Sequence, residues 1–157
     1  MSLRKIIPVV AMLGIAAGLW AADNPFIGTW KLNLAKSKIT RGQPPKSRTI
    51  RYEPFGADGL KSTMITVDAK GKSGEEDYSA KFDGKEYEIT GVDPRQILLK
   101  RTDDHTVQVS YKRKGKITAT SRFVVSQDGK TLTITSEGTS PEGNQTYTGD
   151  IRVYDKQ

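Results

Sequence analysis

From Asn24 onward, turn-forming residues recur about every 8 to 12 positions, and the segments between them alternate apolar with polar side chains. Side chains on a strand alternate between its two faces, so this pattern buries one face and wets the other. Ten such runs are legible: 27–33, 47–53, 60–67, 75–82, 85–90, 96–101, 105–112, 116–125, 130–137 and 145–155. Asp83-Gly84 between two of them predicts a tight two-residue hairpin, because Asp-Gly tolerates the positive φ angles of such turns. Asp58-Gly59, Lys114-Gly115 and Asp128-Gly129 predict further turns, and Pro141-Glu-Gly-Asn144 a longer loop. No segment keeps a 3.6-residue apolar period. Residues 34–46 are the one break, with room for a single helical turn followed by an extended Pro44-Pro45 link.

Consecutive hairpins with one buried face can form a sandwich or curl into a barrel. A sandwich needs cross-connections, and every connection here except 34–46 is short. Closure also removes the adhesive edges of a sheet. The expected fold is therefore all-β, an antiparallel up-and-down barrel of eight to ten strands. The chain has no cysteine, so packing and closed hydrogen bonding must hold it together.

Residues 1–22 read as an export signal. Arg4 and Lys5 form a positive start, Ile6 to Trp20 is an uncharged and mostly apolar run, and Ala21-Ala22 offers small residues for cleavage. That run is short for a bilayer-spanning helix, which needs roughly 20 residues. The expected protein is thus secreted or periplasmic, with one domain over 23–157. Removing two cations from the 25 basic residues leaves 23 against 18 acids, a net charge of +5.

The domain opens with Asn24-Pro-Phe-Ile-Gly-Thr-Trp-Lys-Leu-Asn33, where Phe26, Gly28, Trp30 and Leu32 share a face. Phe26-Ile-Gly-Thr-Trp-Lys-Leu32 resembles the opening strand of the calycin group, the lipocalins and fatty-acid-binding proteins, with its Gly-x-Trp. Ile151-Arg-Val-Tyr-Asp-Lys156 is similar to the closing strand of the fatty-acid-binding branch, and ten strands also match that branch. The chain further resembles small exported lipocalin-like proteins of bacteria. The resemblance implies a barrel around a small hydrophobic or amphipathic ligand, with Gly28 and Trp30 at its closed end. It also implies that Arg152 and Tyr154 hold a ligand carboxylate, and that Arg122 is the nearest candidate for the family's second arginine. The family's helical lid has no counterpart in 34–46, and the fatty-acid-binding branch is cytosolic.

Read from the residues alone, Arg152 has three options. It faces the cavity and meets a carboxylate, it packs over Trp30 to close the barrel, or it lies in water while Ile151 and Val153 face inward. Phe123 and Val125 claim the interior of their strand, which sets Arg122 outside. Tyr52, Tyr78, Tyr87 and Tyr111 all lie on the apolar phase of their strands. A buried phenol needs a partner for its hydroxyl, so this set fits a partly polar cavity, or else half-exposed barrel ends.

Lys112-Arg113-Lys114-Gly115-Lys116 is a basic hairpin tip that offers a weak contact to an anionic membrane surface, or is simply a solvated turn. Nucleic-acid binding finds no support, since basic and acidic residues are interleaved and no aromatic-basic platform stands out. No cofactor motif, metal-ligand set or nucleophile–base pair is evident. His105 is the single histidine and follows Asp103-Asp104 at a turn. Glu75-Glu76-Asp77 cannot converge, because neighbouring strand residues point to opposite faces. The expected function is non-catalytic carriage of a small ligand. The alternative is a solid envelope barrel that binds another protein or the cell wall.

Overall fold

The computed structural model describes residues 24–92, 94–139 and 143–157. The export signal and the first residues of the Pro141–Asn144 loop lie outside them. Ten strands follow in chain order: β1 (Gly28–Lys38), β2 (Ser47–Pro54), β3 (Gly59–Val67), β4 (Ser73–Lys81), β5 (Tyr87–Ile89), β6 (Arg95–Asp103), β7 (Thr106–Arg113), β8 (Lys116–Val125), β9 (Thr131–Thr139) and β10 (Thr146–Lys156). They form one antiparallel sheet in the order β4-β3-β2-β1-β10-β9-β8-β7-β6-β5. The two chain ends meet, with Trp30 opposite Lys156 and Leu32 opposite Tyr154. The sheet curls into a nearly closed up-and-down barrel.

The seam lies where the sequence predicts its tightest hairpin. β4 and β5 share no ladder around Asp83-Gly84. They touch through an isolated bridge between Asp77 and Thr90, while Asp83 turns to β6 and bridges Lys100. Gly84 N–H donates to the Leu99 carbonyl at 2.8 Å. Long-range pairing to β6 thus outcompetes the local turn. Side chains stitch the gap: Glu76 of β4 holds Arg95 of β6. Arg101 of β6 pairs with Asp58 and covers the Phe82 ring at 4.1 Å.

Residues 34–46 contain no helical turn. β1 continues to Lys38 through a bulge between Asn33 and Lys38, and an irregular loop follows. Asn33 supplies the reason: its side-chain oxygen accepts the Lys36 N–H, and its amide donates to Asp155 of β10. These bonds hold the bulged chain against the neighbouring strand.

A meander sends alternate connections to opposite ends of the barrel. The N-terminal segment and the β2–β3, β6–β7 and β8–β9 turns gather at one end. The core fills it with Phe26, Trp30, Leu60, Leu99, Val107 and Leu132, all buried. Removing an indole of this size from water is worth about 5 kcal/mol as an upper estimate. Trp30 Nε1 donates to the Phe26 carbonyl at 2.8 Å, so its polar atom is satisfied. Lys156 lies over the Trp30 ring with Nζ 5.1 Å from the centroid. Gly28 makes room for it, since a Cβ there would stand 2.7 Å from Lys156 Cε, and its φ of 134° suits glycine. Lys156, not Arg152, closes the barrel over the tryptophan.

Candidate functional site

The opposite half of the barrel is hollow. A cavity of about 340 Å³ opens between the β1–β2 loop and the β3–β4, β7–β8 and β9–β10 connections. Its apolar wall comes from Ile50, Met64, Ile89, Phe123 and Ile134. A cavity of this volume is in the range that holds small molecules, and its lining mixes apolar with polar and charged groups.

Three expected tyrosines face in. Tyr52, Tyr78 and Tyr111 line the cavity with Tyr154. Burial raises the Tyr52 and Tyr111 phenols, and neighbouring tyrosines add to the effect. Burial pushes Tyr78 up to about 12. Its hydroxyl is buried without a hydrogen-bond partner of good geometry, although Tyr52 and Ser62 lie beside it. Tyr87 does not join this group. It lies on three-residue β5, outside the cavity lining, and its hydroxyl donates to Asp83 Oδ2 at 2.8 Å.

Arg152 lines the cavity, as does Tyr154 two residues on. Arg152 Nε donates to Asp150 Oδ2 at 2.8 Å, in a pair whose side chains are only 11 % and 3 % exposed. Asp150 Oδ1 accepts the Thr40 and Arg41 N–H groups at 2.9 and 3.1 Å. The Arg152 charge is therefore balanced inside the protein. Asp150 is buried, which opposes its ionisation. The Arg152 hydrogen bond and charge, with the two N–H groups, still hold its carboxyl below the ordinary value. Arg122 is exposed on the outer face of β8, while Ser121 and Phe123 point in, so it does not reach the cavity.

Much of the remaining charged lining, which also includes Asp68 and Arg113, escapes a motif-led reading. Arg48, Glu76 and Arg95 occupy inward phases of β2, β4 and β6, and Arg41 comes from the β1–β2 loop. Arg95 binds Glu76 and covers the Tyr111 ring at 5.7 Å. Arg48 is two residues from Ile50 and four from Tyr52, so strict alternation contains the signal. Asp150 likewise alternates with Arg152 and Tyr154. Tyr147 escapes alternation because the Tyr147–Asp150 irregularity, with Gly149 at φ 63°, lets both residues face in. His105 stays at its turn, with Nδ1 3.1 Å from the Val125 carbonyl. Among the described residues no group of carboxylates and histidine has the arrangement of a metal site.

Ten meandering strands closed by the chain ends, a Gly-x-Trp floor and one hollow end define a calycin-like barrel. The fluorescent protein UnaG is similar in fold: its wild-type structure matches with a TM-score of 0.57 and 14 % identity, over 84 % of this chain and 97 % of that one. A mutant of UnaG matches with a TM-score of 0.55 and 13 % identity, over 85 % and 96 %. At such identity the likeness is one of fold. No family model matches the sequence, and none of the curated proteins does.

Proposed function

We propose that the protein is an exported, non-catalytic binder of a small amphipathic molecule, which it holds in the open half of the barrel. The observation that carries this reading is the 340 Å³ cavity, whose wall joins apolar side chains to inward tyrosines and arginines. A solid barrel serving only as a docking block would gain stability by filling that space, since close packing is the default for an interior. The basic leader with its apolar run and Ala21-Ala22 supports export. The exposed Lys114, Lys116 and Ile117 flank the mouth and would give a weak contact with an anionic membrane surface.

Titration with anilinonaphthalenesulfonate, followed by displacement with dodecanoate, tests the binding. Saturable fluorescence enhancement at one site, reversed by the acid, is expected. An enhancement that never saturates, with no displacement, would remove the reading. Export is tested by the mass of protein recovered from outside the cytoplasm, which should correspond to a chain beginning after Ala22.

A further inference from the structure

The charges in the cavity are not distributed evenly. Two of the lining arginines are already matched: Arg152 by Asp150, and Arg95, at the open-end start of β6, by Glu76. A ligand carboxylate brought to either would meet a protein carboxylate held against the same guanidinium. Arg41 and Arg48, also toward the mouth, differ. Arg41 stacks over Tyr147 at 5.3 Å, and Arg48 Nε donates to Thr66 Oγ1 at 2.9 Å. Neither pairs with a carboxylate among the described residues. Asp68 lines the same rim, but its Oδ1 accepts the Lys70 and Lys72 N–H groups of its own turn.

Deeper in, one phenol is poorly hydrogen-bonded. The Tyr78 hydroxyl lines the cavity and is buried without a partner of good geometry, with Tyr52 and Ser62 beside it. Buried polar atoms of this kind are costly until something bonds them. An uncharged hydroxyl or carbonyl can do so without disturbing the balanced pairs. The spacing is set by β2. Arg48 and Tyr52 face in four residues apart, about 13 Å along the strand. Tyr78 lies level with Tyr52 across β3, through Ser62. Ile50 and Met64 line the intervening wall.

Resting on the binding reading above, we infer that the ligand is an amphipathic acid with a second, uncharged polar group at the far end of its apolar body. Its acid is received at the mouth by Arg41 and Arg48, and the uncharged group lies inside against Tyr78. This orientation reverses the one that the Arg152–Tyr154 resemblance implies.

Isothermal titration with three probes of one length tests it: dodecanoate, ω-hydroxydodecanoate, and the α,ω-diol of dodecane. The hydroxy acid should bind at least about tenfold more tightly than either of the others, as a charge-assisted contact and a satisfied buried donor each contribute. Joint Arg41→Gln and Arg48→Gln substitution should cost the acids about tenfold and leave the diol unchanged, with Arg41→Lys and Arg48→Lys restoring much of the loss. Tyr78→Phe should erase the advantage of the hydroxy acid over dodecanoate. If Arg152→Gln abolishes the preference for acid while the mouth pair does not, the orientation is overturned and the binding reading stands. If none of the three probes binds the folded wild type, the binding reading itself falls.

Discussion

Gly28 lies under the Lys156 stem that covers the Trp30 ring at the barrel floor. Its positive φ strains any side chain, and an added methyl group would push the flexible Lys156 stem off the Trp30 ring. Gly28→Ala should therefore destabilise the protein by about 1–3 kcal/mol, read as a lower urea midpoint at unchanged slope. Asp150 matters for a different reason. Asp150→Asn strands a nearly buried guanidinium and should cost about 3 kcal/mol at neutral pH. The folded-state pKa of Asp150 lies below its ordinary 3.8. Its contribution is thus complete above the unfolded value and is lost as pH falls through the folded one. The melting temperatures of wild type and Asp150→Asn should differ most near neutrality and converge below about pH 4.

At the scale of elements, the seam is the weak join. β1 and β10 are locked by a ladder and by Asn33, Lys36 and Asp155 side-chain bonds, whereas β5 has three residues and β4 meets its end at the isolated Asp77–Thr90 bridge. Amide exchange should be fastest in β5 and along β4, and slowest in β1, β9 and β10, when peptides are followed by mass spectrometry. Glu76→Gln removes the Arg95 clasp and should accelerate exchange in β4 further, with little change in β10. Equal protection around the whole ring would show that side-chain stitching is as strong as a ladder.

At the scale of the molecule, hollow and solid halves divide the work. The packed floor supplies stability, and the open half carries the charged and phenolic groups. A ligand that occupies the cavity at a hundred times its dissociation constant adds about 2.7 kcal/mol, which should raise the melting temperature by about 6–11 °C. Arg122→Ala, on the outer face, should leave both that rise and the unliganded stability within about 0.5 kcal/mol.

Period-two alternation and turn residues determined the all-β class and the ten strands, because they are local consequences of backbone geometry. The same alternation put Tyr52, Tyr78 and Tyr111 on apolar faces and set Arg122 outside, but it left open which face of the last strand, with Arg152 and Tyr154, points inward. The sequence could not reveal that Asp83-Gly84 opens a seam instead of a hairpin, since that depends on β6 competing for the same backbone. Nor could it place Tyr87 beyond the cavity, or the extended bulge after Asn33, which rests on a partner strand more than a hundred residues away. Asp150 and Arg152 are two residues apart on β10, but only the closed tertiary structure paired Arg95 with Glu76 and left Arg41 and Arg48 without a carboxylate among the described residues. Such pairing is a property of strands brought together around a ring, and no local segment encodes it.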